Sequence, residues 1–321
     1  MHKFKNVFAT LVKQGYLFYV NFFWAFYYQK KAEKRMRLKI KEFSERDNLN
    51  SSNRKSSRRV FLLPEDNNLS EAIITCYFSS KPDPQHGVVR SNPNINYIAP
   101  WYNSIIKQNI QGVILYDNLP SSFVKNYEKP NIRFRRAKLG EFSIFEERWF
   151  LYHSFLKDTR IKKVFFTDVN DVYINNNPFK VFNIKPGEVY VGRDREINIA
   201  NSNWMNLEIN QFFSDSGLRI PYGFYFMPLF NAGLLGGERT TMLFFISEMK
   251  KYFLKAPTPH HKDMTVLNLL IYKYLRPNLF LKGSDYNNKS NYLPKNLISG
   301  FPFNSGYKKY EFFSEACFVH K

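Results

Sequence analysis

Asp168, Asn170 and Asp171 follow directly on a short apolar, β-branched and aromatic run, Val164 to Phe166. A run that short, bounded by polar residues, predicts a buried strand. Ligands of an open α/β sheet sit outside the carboxyl ends of its strands, where these polar residues would stand. Two carboxylates so close repel each other, so either one keeps a proton or a cation lies between them. Hard oxygen donors select Mg²⁺ or Mn²⁺. Asp and Asn after a strand are also ordinary turn and helix-cap residues. Taken alone, this stretch favours that plainer reading.

The elements that would position these residues come on both sides of them. Glu71 to Phe78 predicts a first strand running into a polar loop, Ser79 to Gly87, where a ligand could sit. A helix is expected over Tyr97 to Gln108, a second strand over Gly112 to Asp117 and a third over Ile132 to Arg136. Phe145 to Leu156 has helical apolar spacing and carries Arg148. Strands alternating with helices mean a mainly parallel sheet covered on both faces.

The second half is less regular. Glu188 to Gly192 predicts a strand, and Arg195 to Gln211 is a polar stretch with Trp204 inside it. In Phe230 to Glu238 two leucines lie between Gly233 and Gly236-Gly237, and such glycines permit close approach of backbone to ligand. Helices are expected over Thr240 to Tyr252 and Met264 to Tyr274, with Asp263 placed as the cap of the latter. There is no Gly-x-Gly-x-x-Gly and no Gly-x-x-x-x-Gly-Lys-Ser/Thr, which argues against a dinucleotide enzyme and a P-loop phosphotransferase.

A formal charge of +20 over 321 residues implies an anionic partner: nucleotide phosphates, nucleic acid or an acidic membrane surface. Hydrophobic residues make up 44% of the chain, enough for a sizeable core. Two cysteines, Cys76 and Cys317, cannot build a disulfide framework and suit a reducing compartment.

Residues 1–59 differ from the rest. Gly15 to Tyr28 is strongly aromatic but shorter than the roughly 20 residues a bilayer span needs. Lys30 to Lys41 is basic, and Asp47 to Arg59 reads as a linker. Two readings stand side by side. One is a monotopic anchor on an anionic leaflet through residues 15–41. The other is a hydrophobic helix packed on the domain with a solvated basic helix after it. If the segment spans, the positive-inside rule holds everything after Lys30 in the cytoplasm.

Taken in order, four segments resemble the GT-A glycosyltransferases. They are the Arg148 helix running into Thr167-Asp-Val-Asn-Asp-Val172, then Asn231-Ala-Gly-Leu-Leu-Gly-Gly237, then Asp263-Met-Thr-Val-Leu-Asn268, and last the terminal His320-Lys321. Thr75 to Gly87 is also similar to a group of little-characterised glycosyltransferases, and the likeness covers the chain from about residue 70 onward. The resemblance implies a Rossmann-like GT-A domain over 60–321 behind the N-terminal hydrophobic and basic helical extension. It implies a nucleoside-diphosphate sugar donor, a glycan or lipid-linked acceptor, Mn²⁺ or Mg²⁺, and a retaining outcome. The cysteine usage and the basic run after the aromatic segment are expected to keep the protein in the cytoplasm or peripheral on the inner face of a membrane.

Carried over by motif, the metal ligands are Asp168, Asn170, Asp171 and His320. Asp171 is the direct ligand, and Asp168 contacts ribose or metal. Thr75, Tyr77, Arg148, Asp168, Gly233 and Lys321 would bind the donor. Asp263, Asn231 and Glu238 would be catalytic, with Asp263 touching donor sugar or acceptor, or serving as a base. The chain departs from the family's Asp-x-Asp: either Asn170 stands for the second Asp, or the spacing is stretched by one. A catalytically degenerate, glycan-binding GT-A fold is therefore a competing function. A basic nucleic-acid-binding protein is another, although no nucleic-acid module signature is present. Arg148 could otherwise pair with Glu146 or Glu147 at a surface, and His153, His260 and His261 read as structural or exposed.

Overall fold

A computed structural model describes residues 31, 33–46, 59–84, 87–194, 198–221, 223–256, 261–275, 297–299, 303–304 and 316–320. The aromatic run 15–28, most of the linker, Arg195, His260 and Lys321 lie outside the described residues.

Seven strands form the main sheet, in the order β3 (Ile132–Arg136), β2 (Gly112–Tyr116), β1 (Glu71–Tyr77), β4 (Lys163–Thr167), β7 (Phe230–Glu238), β6 (Val189–Arg193) and β8 (Leu297–Ser299). The first four are mutually parallel, as the alternation of strands and helices predicts. β1, β2 and β4 are buried on both faces and read as largely apolar runs, whereas β3, at the sheet edge, carries Arg133, Arg135 and Arg136. β7 then enters antiparallel to both β4 and β6.

The glycines of β7 have a packing reason. A Cβ on Gly236 would stand 2.1 Å from the Phe165 ring, so only glycine lets β7 lie against β4 there. A smaller sheet joins β5 (Val172–Ile174), β10 (Phe318–His320) and β9 (Phe303–Asn304). β10 runs antiparallel to β5 with His320 opposite Val172, and Phe318 packs its ring 5.1 Å from that of Phe165. The tail thus docks through Phe318, as its apolar residues predict.

Helices cover both faces. α2 (Ile95–Gln108), α3 (Ser121–Tyr127) and the short α5 (Pro178–Val181) accompany the first strands and β5. α4 (Ile144–Asp158) starts at a Ser143–Glu146 capping box, the Ser143 amide donating to Glu146 at 3.1 Å. α6 (Asn203–Ser216) replaces the polar, irregular stretch expected there, burying Met205, Ile209, Phe212 and Phe213. α7 (Arg239–Lys255) and α8 (Asp263–Tyr274) complete the domain.

α1, over 33–46, is the described part of the basic run. It buries Met36 in the core and sets Phe43 against Phe244, ring centroids 6.0 Å apart, with Lys34, Arg35, Arg37, Lys39 and Lys41 exposed. Among the described residues no helix is long and apolar enough to cross a membrane. Cys76 and Cys317 are both free.

Candidate active site

The end of β4 carries the site. Thr75 on β1 donates to the Thr167 carbonyl at 2.8 Å, and Trp101 donates to the Thr167 hydroxyl at 2.9 Å. These bonds fix the point at which the chain leaves the sheet and delivers Asp168 to the edge. β5 begins just after Asp171 and pairs with β10, so the tail returns His320 beside both aspartates. His320 Nε2 lies 3.3 Å from Asp171 Oδ2 and 3.8 Å from Asp168 Oδ2. One donor atom from each of the three residues falls within 4.8 Å of the others. Asp171 Oδ1 is buried and has no hydrogen-bond partner among the described residues. Two carboxylates, an imidazole and an unsatisfied oxygen suit a divalent cation that accepts oxygen and nitrogen.

Arg148 ties this cluster to a second carboxylate. From α4 its guanidinium donates to Asp168 and to Asp263, so it is no surface partner of Glu146 or Glu147. Glu147 pairs with Arg59 and Glu146 caps its own helix. Asp263 is fully buried at the first turn of α8. It does not cap that helix: Lys262 holds the cap position, and the Asp263 carboxylate accepts from Arg148, from Trp149 Nε1 at 3.2 Å and from His261 Nε2 at 2.9 Å. Burial opposes its charge, but Arg148 and His261 outweigh burial and hold the carboxyl well below the usual range.

Asp168 moves the other way. Burial pushes it up, Arg148 pulls it down, and the Asp171 charge pushes it up again, with a net upward direction. Burial disfavours a charged His320, yet the charge and hydrogen bond of Asp171 carry its pKa upward.

A cleft of about 430 Å³ opens over this edge. Asp168, Asn170 and Asp171 form its floor, Thr75, Cys76 and Phe78 one wall, and Phe145, Arg148 and Tyr152 another. Its rim is Arg90, paired with Asp83 at 3.2 Å and lying 4.2 Å over the Tyr97 ring. The loop after β1 is held by Asp117, which accepts from the amides of Ser79 and Ser80 at 2.9 Å each.

Of the residues proposed from sequence, Thr75, Arg148, Asp168, Asn170 and Asp171 line this cleft, and His320 stands against its floor. Gly233 belongs to the same place: a Cβ there would stand 2.7 Å from Asp168 Oδ2 and 2.8 Å from His320 Cε1. Asn231 is adjacent, accepting from the Gly233 amide at 2.7 Å and donating to Asp194 at 2.9 Å.

Two expectations change. Glu238 sits at the opposite end of β7, opposite Lys163 at the start of β4, and caps α7 by accepting from the Thr241 amide at 3.0 Å. Tyr77 is buried beneath the wall with its hydroxyl bonded to the Asn94 amide at 3.1 Å, so Tyr97, whose ring packs on it, faces the cleft instead. Thr75 and Tyr77 share a face of the strand, and what separates them is that Tyr97 and the Asn94 amide cover Tyr77.

Sequence reasoning missed three contributors. Arg90 lies just beyond the polar loop singled out after the first strand. His261, read as structural, grips Asp263 from the side away from Arg148. Asp194 orients Asn231 from the end of β6. Asp194 meets a partner 37 positions away, whereas Arg90 and His261 pair with Asp83 and Asp263 close by in sequence and gain their place at the site only from the fold.

No family model matches the chain, and no curated protein matches its sequence. Among solved structures it is similar to an active-site mutant of LgtC, with TM-score 0.45 and 12% identity over 78% of this chain and 86% of that one. It is also similar to the glycosyltransferase GlyE of Streptococcus pneumoniae TIGR4, with TM-score 0.39 and 14% identity over 72% of this chain and 45% of that one. The apo form of GlyE gives TM-score 0.38 and 15% identity, over 64% and 44% of the two chains. This chain thus spans less than half the length of GlyE.

Proposed function

We propose that the chain is a metal-dependent glycosyltransferase of the GT-A type, moving a sugar from a nucleoside-diphosphate donor to a glycan or lipid-linked acceptor. The observation that carries this reading is the Asp168–Asp171–His320 cluster on the floor of a cleft at the carboxyl end of a parallel strand. Asp168, Asp171 and His320 would hold Mn²⁺ or Mg²⁺. A cation there supplies Lewis-acid stabilisation to the departing diphosphate.

The chain's own residues do the rest. Arg148 fixes the direction of Asp168, and buried Asp263 fixes Arg148. Gly233 leaves the space that Asp168 and His320 occupy. Arg90, on the rim, offers a guanidinium whose fork suits a phosphate. Asn231, beside Gly233, is kept as the residue that would meet the donor sugar or acceptor, while Asp263, fully buried and bonded to Arg148, Trp149 and His261, acts by holding Arg148. Retention of configuration is part of the proposal and rests on the resemblance of Asn231-Ala-Gly233 and His320 alone.

The exposed cations of α1 support a peripheral contact with an anionic leaflet as the second part of the reading. Loss of cosedimentation with phosphatidylserine vesicles on deleting residues 1–32 and reversing the charge of Lys34, Arg35 and Lys39 is the expected result. Unchanged cosedimentation removes the membrane from the proposal.

The test of the main reading is thermal denaturation with UDP and GDP, each with and without Mn²⁺. A ligand at a hundred times its Kd stabilises by about 2.7 kcal/mol, so a metal-dependent rise in Tm is expected. Release of nucleoside diphosphate from a panel of donors then identifies the sugar. Absence of any Mn²⁺-dependent stabilisation overturns the reading, and salt-sensitive binding of an oligonucleotide in its place favours the nucleic-acid alternative.

A further inference from the structure

Trp204, near the start of α6, is 46% exposed. The helix does not need it for packing, since its buried contacts are Met205, Ile209, Phe212 and Phe213. Its ring lies parallel to that of His261, with 9° between the planes and centroids 6.1 Å apart. His261 packs in turn on Phe145, centroids 4.2 Å apart, and Phe145 lines the cleft beside Arg148 and Asp168. Three rings therefore run from solvent to the cleft wall.

The middle ring is gripped at both edges. Nε2 of His261 lies 2.9 Å from Asp263 Oδ1, and Nδ1 lies 3.8 Å from Glu208 Oε2. Glu208 comes four residues after Trp204, on the same face of α6. Its Oε1 accepts from the Thr265 amide and hydroxyl at 3.0 and 2.8 Å. The side chain is only 7% exposed, and Oε2 has no hydrogen-bond partner among the described residues, so its charge is directed at the imidazole. A ring held between two buried carboxylates keeps one orientation, and Trp204 stands on a fixed support.

A pyranose ring has an apolar face of C–H bonds and a rim of hydroxyls. A rigid exposed aromatic face, joined to a polar cleft through two further rings, is complementary to it: large contact area and little conformational entropy. We propose that Trp204, backed by His261 and Phe145, is the platform on which a sugar ring of a saccharide acceptor stacks, which makes Trp204 a specificity-determining residue. This rests on the transferase reading for the acceptor's role, while the binding surface itself does not.

The test is saturation-transfer NMR on the full chain with UDP and Mn²⁺. The probes are the methyl α- and β-pyranosides of glucose, galactose and N-acetylglucosamine. Saturation of ring C–H protons is expected for at least one probe, weakened about tenfold or more in affinity by Trp204→Ala and restored by Trp204→Phe. Calorimetric affinity for UDP with Mn²⁺ should be unchanged in both variants. No saturation of any probe, or equal saturation in Trp204→Ala, overturns the platform. A parallel loss of UDP affinity in Trp204→Ala also overturns it, because the ring would then be holding the donor's base. If saccharides bind through Trp204 while UDP with Mn²⁺ does not bind the wild-type chain, the platform stands and the transferase reading falls.

Discussion

Arg135 on the outer strand β3 donates Nε to Asp66 at 2.7 Å, one terminal nitrogen to Glu128 at 2.9 Å and the other to Glu65 at 3.1 Å. Arg133 takes the second Asp66 oxygen at 3.1 Å, and the Leu63 amide adds a further bond at 2.8 Å. Arg148 on α4 is also set among carboxylates, but its network is incomplete. It reaches Asp168 and Asp263, its Nε is buried with no hydrogen-bond partner among the described residues, and Asp171 Oδ1 is likewise unsatisfied. The first network has two guanidinium groups for three carboxylates, and two of those carboxylates, Glu65 and Glu128, are 48% and 42% exposed to water. The second has one guanidinium for Asp168, Asp171 and Asp263, all at least partly covered. A closed network holds a fold together. An open one keeps acceptor capacity for a ligand, and buried polar groups left unsatisfied mark where that ligand belongs.

The comparison is broken most directly at Asp171. Asp171→Ala should abolish Mn²⁺-dependent transfer with little change in Tm, because the repulsion with Asp168 and the pairing with His320 are lost together. Turnover with Mn²⁺ at the wild-type level would show that the open acceptor is idle. Gly233→Ala comes next. Its methyl would press on Asp168, His320 and Asn231 without touching the main core, so a loss of about a hundredfold in kcat/KM with a small change in Tm is expected. Steady-state kinetics beside a thermal melt separates the two effects.

Arg148→Met against Arg135→Met sharpens the contrast further. Arg148→Met leaves Asp263 buried opposite Asp168 and should cost about 3–5 kcal/mol in urea denaturation. Arg135→Met leaves Asp66 still bonded to Arg133 and the Leu63 amide, so a cost of about 1–3 kcal/mol is expected. Only the Arg148 variant should also weaken Mn²⁺ and nucleoside-diphosphate binding. Equal effects on binding would mean that the two networks do not differ in kind.

The last contrast, spread over several pH units, is in pH dependence. Burial works against a charged His261, yet the hydrogen bond and charge of Asp263, with Glu208 behind, raise its pKa to about 9. A group raised above its unfolded value of about 6.5 contributes fully below that pH and loses its contribution as pH rises through the folded value. Stability should therefore fall by up to about 3 kcal/mol between pH 6.5 and 9. Glu208, raised by burial to about 7, gives a fall of the same sign at lower pH. Asp263 acts oppositely, its depressed pKa contributing stability that is lost only in strong acid. Chemical denaturation across this range, compared with His261→Gln, measures the slope, and an unchanged slope in the variant would detach His261 from Asp263.

Much of the fold is legible before any coordinates. Ile132 to Arg136 is read and found as the same strand, and the Arg148 helix is extended by only a few residues. Those elements have strong apolar periodicity and clear boundaries. β7 was less visible because glycine has poor strand propensity, and its reason to be there is the Phe165 ring of a neighbouring strand. α6 was masked by its Asn, Glu and Gln residues, although Met205, Ile209, Phe212 and Phe213 recur at helical spacing.

The sequence by itself determined that two carboxylates stand just past a buried strand, because strand burial and the turn to polar residues are local properties. It also marked Arg148, Gly233, Asp263 and His320 as residues to watch. Only the tertiary structure decided their charge states and their neighbours. Arg148 and Asp263 are 115 positions apart, and His320 meets Asp171 only because β10 pairs with β5 in one register. Asp263 became a held, strongly acidic carboxylate and Asp171 an open one, though both are aspartates beside regular elements. Burial and the arrival of Arg148 from 115 positions away set that difference, and neither is written in local spacing.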